Sequence, residues 1–462
     1  MPLPLSARLC AALLFALASA PSASATPATG ERAVLLISID GLHPSYILDA
    51  ERLGVRAPVL REIARSGAHA QGVTNVSPTV TYPNHTALVT GTGPRENGIY
   101  TNTVFDPLGH EQGAWNWYGS QIQSPTLWDA AKAAGMVTGS VLWPVSVHHP
   151  AIDYNVPEYW RTKKTASDRY VMEAVSTPSG FLEQVEKDIG PFYAGSNENE
   201  VAMDEKIVGV ATAMIEKARP RLLTVHIVTL DGAQHEDGPL PVSEKSRRVL
   251  EKIDALVGRL VAAERKAYPQ ATVAIASDHG FLPVDHLINL NAALAKAGLV
   301  EFTEGPAPKV KSWKAYAWNS GGSSSVVLAD PADAAVRAQV GRILHELAAD
   351  PASGIAAVLD GEQAVAAGAL PDAAFVVDSR SGYAMGGALT GEVVTRTEKT
   401  IGTHGYLNSH PEMNSSFFIQ GPGIGAGRNL GQVDIRRIAP TLARELGVQL
   451  PGATQEPLPL RD

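Results

Sequence analysis

Ala33-Val-Leu-Leu-Ile-Ser-Ile39, followed at once by Asp40, is the stretch from which the fold is read. Two later runs repeat its form: Leu222-Leu-Thr-Val-His-Ile-Val-Thr-Leu230 before Asp231, and Thr272-Val-Ala-Ile-Ala-Ser277 before Asp278. Short β-branched runs without polar alternation are strands buried on both faces, the pattern of a parallel sheet covered by helices. Ligands of such sheets bind beyond the carboxyl ends of the strands. Three carboxylates delivered to one sheet edge repel one another and raise each other's pKa values unless positive charge lies between them. A metal site is therefore expected.

Histidines beside these acids point the same way. His279 follows Asp278 directly, His235 lies four residues after Asp231, and His404 sits between Gly402 and Gly405 in Gly402-Thr-His-Gly-Tyr406. An isolated Asp-His pair carries little information, and a lone aspartate at a strand end commonly caps a helix. The coincidence of three strand-end acids with nearby histidines outweighs those readings. Mixed His and Asp ligation suits zinc and similar borderline metals. Three of each exceed the needs of one tetrahedral ion, so two metals are expected.

Strand-like and helix-like segments alternate along the chain. Residues 125–135, 204–218 and 243–265 have helical composition, and Val137 to Trp143 has the composition of a strand. That alternation implies βαβ units and an α/β fold with a mostly parallel central sheet flanked by helices. Residues 32–281 form the first part of this core and 400–462 the last. The segment 282–399 holds its own strand, Ser323 to Leu328, and its own helix, Asp333 to Ala349. Its two ends return to one metal site, which marks it as an inserted cap subdomain.

Composition fits a folded enzyme: 45% of the residues are hydrophobic and 18% charged, and a net charge of −9 gives no attraction to nucleic acid polymers. A local metal charge still permits small anionic substrates. Residues 1–25 have the form of an export signal, with Arg8, the apolar run Cys10 to Ala18 and the small-residue site Ala23-Ser-Ala25; 26–31 form a linker. Cys10, the only cysteine, leaves with that signal, which removes disulfides, thiolate ligands and a cysteine nucleophile from the mature chain. No other segment has the length of uninterrupted apolar sequence that a membrane span needs. An exported protein, periplasmic or secreted, is expected.

A reacting group is found in Ser77-Pro-Thr-Val-Thr-Tyr-Pro-Asn-His-Thr-Ala-Leu-Val-Thr-Gly91. Pro83 favours the first turn of a helix running to about Thr90, which puts Thr81 just before its N-terminus. On spacing alone Thr81 serves equally well as a helix cap or as a hydroxyl whose phosphorylated form the helix end would stabilise. Thr81-Tyr-Pro-Asn-His-Thr86, Val89-Thr-Gly91 and Gly98-Ile-Tyr-Thr-Asn102 resemble the nucleophile region of the nucleotide pyrophosphatase/phosphodiesterase family of the alkaline phosphatase superfamily. Asp40-Gly41, Asp231 with His235 and Gly238-Pro239, Ser277-Asp-His-Gly280 and His404-Gly-Tyr406 follow in that family's order.

The resemblance implies an alkaline-phosphatase-like sandwich with two Zn2+ per chain. One zinc falls to Asp231, His235 and His404, the other to Asp40, Asp278, His279 and the oxygen of Thr81. It further implies Thr81 as nucleophile, Asn102, 21 residues on, as holder of the phosphoryl group, and Tyr82 and Tyr154 as walls for a nucleotide base. The chain departs from the family pattern at Gln234, Leu407 and Asn97. Two divalent metals balance three aspartates and an ionised Thr81, which suits a singly charged diester better than a monoester. A monoester needs a further cation, for which Arg161, Lys163 and Lys164 are the candidates. A small-molecule phosphodiester, with a nucleotide first among them, is thus the expected substrate. A phosphomonoesterase or phosphonate hydrolase is the alternative enzyme. An exported zinc-binding protein without catalysis leaves the spacing of Thr81 and Asn102 unexplained.

Overall fold

Ile37 of the first strand pairs with Val225 on one side and Ile275 on the other, so the three runs that end near aspartates lie side by side. The structure, a computed structural model, describes residues 32–160, 168–192 and 200–461. The expected export signal, the linker, and Arg161, Lys163 and Lys164 lie outside the described residues. The elements that position the site are, in chain order, β1 (Val34–Ile39), α1 (Thr81–Thr90), β2 (Thr138–Val141), α2 (Ala202–Ala218), β3 (Leu222–Ile227), α3 (Thr229–Asp237), α4 (Glu244–Ala267), β4 (Thr272–Ala276), β5 (Phe417–Gln420) and α5 (Ile438–Leu446). The sheet order is β5, β4, β1, β3, β2, with Tyr154–Val156 beyond β2 and two short strands beyond β5. From β4 to Tyr154–Val156 all strands run parallel, and β5 lies antiparallel to β4.

Alternate residues of these strands feed two separate cores. Leu35, Ile37 and Ile39 join Val273 and Ile275 on one face, where α2 and α4 contribute Val208, Ala211, Leu250, Ile253 and Val257. Val34, Leu36, Ala274 and Ala276 point to the other face, against Leu88 of α1 and Ile438 and Leu442 of α5. Burying each such aliphatic side chain contributes roughly 1.5–3 kcal/mol, which is why these strands carry no polar alternation. The mostly parallel α/β sandwich expected from the sequence is what the chain forms.

One boundary differs. The run Leu222 to Leu230 does not continue as a strand to Asp231: β3 ends at Ile227 and α3 starts at Thr229. The cause is Asp204 of α2, fully buried, whose Oδ1 accepts the N–H groups of Val228 (3.1 Å) and Thr229 (3.3 Å). Those donors belong to the free first turn of a helix, so the acid starts α3 there. Asp231 and His235 consequently sit one turn apart on a helix rather than at a strand end.

Between β4 and β5 the chain builds a four-stranded antiparallel sheet from Ala315–Ser320, Ser323–Leu328, Ala373–Ser379 and Ile355–Asp360, and a three-stranded sheet from Gly382–Met385, Leu282–Ile288 and Val394–Thr403. Ala334–Ala349 is a helix, and these elements surround an apolar core of their own around Leu328, Val340 and Val377. The strand Val394–Thr403 runs directly into His404. Among the described residues no helix is long and apolar enough to cross a membrane.

Candidate active site

Asp40 and Asp278 leave the sheet at the same level because Ser38 stands beside Ala276 in register. Gly41 makes the turn with φ 72°, and a Cβ there would meet Gln234 Nε2 at 2.6 Å, so only glycine fits. Its N–H donates to Asp278 Oδ1 (3.2 Å), tying the two strand ends together. α3 adds Asp231 and His235, and His404 arrives from the strand Val394–Thr403. Gly405, φ 80°, follows His404, and a Cβ on it would lie 1.6 Å from the Ser320 carbonyl oxygen, so glycine lets the loop press against that hairpin.

Two groups of ligand atoms result, each with all its atoms within 4.8 Å of one another: Asp231, His235 and His404, and Asp40, Asp231 and His279. Asp278 adjoins the second, its Oδ2 lying 3.1 Å from His279 Nε2. The imidazoles of His279 and His404 stack at 3.6 Å and 8°. His235 Nδ1 faces the Gly402 carbonyl (3.0 Å) and His404 Nδ1 that of Thr79 (3.1 Å). Each Nδ1–H therefore donates to a carbonyl and leaves Nε2 as the lone-pair nitrogen, the arrangement that orients metal-binding histidines. Both Nε2 atoms face Asp231 Oδ1, at 3.4 and 3.7 Å.

The fit to metal can be tested on unsatisfied atoms. Asp40 Oδ1, Asp231 Oδ1 and Asp278 Oδ2 are buried without a hydrogen-bond partner. An unpartnered buried carboxylate oxygen is costly, and a divalent cation removes that cost. Burial, then the Asp231 charge, pushes Asp40 up to about 7, and burial with Asp40 raises Asp278 well above the carboxylate range. Asp231 is instead lowered: burial would raise it, but His235 and His404 outweigh burial. Burial and neighbouring imidazoles keep His279 well below its ordinary value, and His404 falls to about 4. His235 is the exception: burial would lower it, but the Asp231 carboxylate outweighs burial and raises it. Imidazoles among unsatisfied carboxylates make a donor set for zinc-like ions.

Thr81 is the first residue of α1, with Val80 as the cap, rather than the residue before the helix. It is 8% exposed, and its Oγ1 lies 3.4 Å from His279 Nε2. His85, one turn on, has its Nδ1 against the Thr81 carbonyl (2.9 Å) and 3.5 Å from Asp278 Oδ2. Asn102 is brought to the same helix end: the Tyr82 N–H donates to its Oδ1 (2.9 Å), which leaves the amide NH2 free to donate elsewhere. All seven expected metal-binding residues and Asn102 thus converge.

The two tyrosines expected to wall a base lie in different apolar clusters. Tyr82 is fully buried, with Trp115 edge-on at 5.1 Å, in a cluster with Trp117 and Ile99 that Trp160 packs against. Tyr154 is half-buried and packs edge-on against Phe181 at 5.2 Å, on the α2/α4 side of the sheet. Tyr82 thus has no exposed ring face, whereas part of the Tyr154 ring stays accessible.

Sequence reading missed His226, His85 and Glu158. His226 Nε2 lies 2.9 Å from Asp40 Oδ2 and its Nδ1 3.5 Å from Glu158 Oε2. Burial alone would lower its pKa, but hydrogen bonds to Asp40 and Glu158 hold it well above the usual value. The signal was present, since an ionisable residue inside an otherwise apolar strand needs a buried partner. Gln234, a departure from the family pattern, turns out to be a strut: Nε2 donates to the Gly41 carbonyl (2.9 Å) and Oε1 accepts from the Tyr46 hydroxyl (2.8 Å). Asn97 closes a turn through the Thr92 carbonyl and the Ile99 N–H, and Leu407 packs on an apolar cluster with Val376.

The family model described as "Type I phosphodiesterase / nucleotide pyrophosphatase" matches residues 34–407. The chain belongs to this family. Human ectonucleotide pyrophosphatase/phosphodiesterase family member 1 is 26% identical over 305 residues, 63% of this chain and 28% of its own length. The bovine bis(5'-adenosyl)-triphosphatase ENPP4 is 25% identical over 452 residues, 93% of this chain and 80% of its own length. This family member therefore spans little more than a quarter of the first relative and most of the second. Among solved structures, human ectonucleotide pyrophosphatase/phosphodiesterase 5 superposes with a TM-score of 0.61 at 20% identity, over 92% of this chain and 96% of that one. An inactive threonine-to-alanine variant of the murine member 5, in complex with AMP, gives 0.60 at 19%, over 93% and 97%. The fold of this family member is thus the alkaline-phosphatase-like one.

Proposed function

We propose that the chain is an exported two-zinc phosphodiesterase/nucleotide pyrophosphatase that cleaves phosphodiester or pyrophosphate bonds through a phospho-threonine. The observation that carries this reading is Thr81 Oγ1 at a helix N-terminus, 3.4 Å from His279 and beside unsatisfied carboxylate oxygens. Asp231, His235 and His404 would hold one zinc, and Asp40, Asp278, His279 and Thr81 the other. Zinc bound there would supply the charge that lowers the pKa of a coordinated hydroxyl and offsets charge on phosphate oxygens.

The chain's own groups do the rest. Thr81 gives its hydroxyl proton to solvent and Oγ1 attacks phosphorus as the bond to the leaving group breaks, the leaving oxygen keeping the electron pair and taking a proton from solvent. Water then attacks phosphorus, the bond to Oγ1 breaks, and a proton from that water restores the Thr81 hydroxyl. The amide NH2 of Asn102, held by its Oδ1 contact to Tyr82 N–H, and the backbone N–H of Thr81 at the start of α1 donate to a non-bridging oxygen as charge develops. The region 282–399 acts as the cap over this chemistry and delivers His404 through its last strand. Names of relatives support a nucleotide substrate: one is a bis(5'-adenosyl)-triphosphatase and another was solved with AMP as an inactive threonine-to-alanine variant.

The test is zinc content together with initial rates on bis-p-nitrophenyl phosphate, p-nitrophenyl phosphate and the p-nitrophenyl ester of thymidine 5'-monophosphate. About two zincs per chain and fastest cleavage of the nucleotide diester are expected. Thr81→Ala should abolish turnover and keep the zinc; retained turnover rejects Thr81 as nucleophile, and faster monoester cleavage rejects the diesterase.

A further inference from the structure

His226 is 1% exposed, on β3 opposite Ser38 of β1, and takes no part in the chemistry described above. Its ring is held from both ends. Nε2 lies 2.9 Å from Asp40 Oδ2, and Nδ1 lies 3.1 Å from the Leu142 carbonyl oxygen with Glu158 Oε2 at 3.5 Å. The atoms facing the two nitrogens are all acceptors, so each ring nitrogen donates, and the ring, against which His85 packs at 4.2 Å, cannot flip without losing both contacts. The loop that supplies Leu142 is itself fixed: Leu142 has φ 54°, a conformation costly for a leucine, and its N–H donates to Val156 (2.7 Å).

The consequence falls on Asp40. One carboxylate oxygen is occupied by His226, while Oδ1 has no hydrogen-bond partner and lies 3.3 Å from His279 Nε2. A carboxylate free at both oxygens can rotate or bind an ion through both; one anchored at Oδ2 offers a single oxygen in one direction. Resting on the two-metal reading above, we propose that His226 is a positioning residue for metal binding, which holds Asp40 by Oδ2 and leaves Oδ1 alone for the ion shared with Asp278 and His279. Glu158, 8% exposed, extends the chain of contacts to the segment that bears Tyr159 and Trp160, so the ligand and the aromatic cluster are tied through one imidazole.

The experiment uses the full chain, stripped of metal and titrated with Co2+, with the visible absorption of the bound ion recorded and Zn2+ affinity measured by chelator competition. His226→Leu removes the donor, and His226→Gln places an amide nitrogen near the position of Nε2. The Leu variant should lose about tenfold or more in affinity for one of two ions, the size typical of a lost ligand-orienting partner. That ion's spectrum should change, the other ion should bind as before, and the Gln variant should recover most of the loss. If the Leu variant does not fold, His226→Asn replaces it, because its shorter amide keeps a polar group but does not span to Asp40. Unchanged binding of both ions, equal weakening of both, or no recovery with Gln overturns the proposal. Fewer than two ions in the unaltered chain overturns the two-metal reading and this proposal together, whereas normal uptake there with no effect of the variants overturns this proposal alone.

Discussion

Asn102 shows how much a single hydrogen bond decides. Its Oδ1 is occupied by the Tyr82 N–H, so in the proposed reaction its amide NH2 is the group left to meet a phosphoryl oxygen. Asn102→Ala should therefore lower kcat by about 10²–10³, the range for one lost donor to a developing oxyanion, with zinc content unchanged. Steady-state kinetics on a nucleotide diester checks this, and a change confined to KM would assign Asn102 to ground-state binding instead. The residue types and spacing of Asp40, Thr81, Asn102, Asp231, His235, Asp278, His279 and His404 were all legible in the sequence. What covers Tyr82 was not legible, because Trp115 and Trp117 come from a loop with no periodicity to announce its path.

At the scale of elements, α3 is placed by a residue that belongs to another helix. Asp204 of α2 accepts two N–H groups at the start of α3, and burial pushes its carboxyl up to about 6. Asp204→Ala leaves those donors unpaired, and a loss of about 1–2 kcal/mol is expected, as for other lost caps. Because α3 carries Asp231 and His235, zinc affinity should fall along with the midpoint of denaturant unfolding. A variant less stable but unchanged in zinc affinity would show that α3 is held in place by packing alone. Pattern reading carried the strand through to Asp231 because Val228, Thr229 and Leu230 have strand-like side chains, and nothing local announces a cap 24 residues earlier in the chain.

Across the whole molecule, the proposed metals join β1, β4, α3 and the loop after the strand Val394–Thr403. Chelation should lower the melting temperature and zinc should restore it. Saturation at a hundredfold over Kd contributes about 2.7 kcal/mol per site, so calorimetry with and without chelator measures it directly, and an unchanged melting temperature would count against metal at the site. A second tie joins the four-stranded sheet to the same loop: His410 Nε2 lies 2.7 Å from Asp378 Oδ2, and that hydrogen bond raises the histidine's pKa. A raised histidine stabilises fully below its unfolded value of about 6.5 and loses that contribution as pH rises through the folded value. The melting-temperature gap between the natural chain and His410→Asn should thus shrink from pH 6 toward pH 9; a constant gap would remove the charge from this contact. By itself the sequence determined the parallel α/β sheet, the identity of the acids and histidines, and the order in which they meet, because buried strands require unbroken apolar runs and ligand chemistry restricts residue type. Tertiary structure alone decided where β3 yields to α3, that Gln234 braces Gly41, that His226 takes one oxygen of Asp40, and that Tyr82 is covered, because each depends on contacts between segments far apart in the chain.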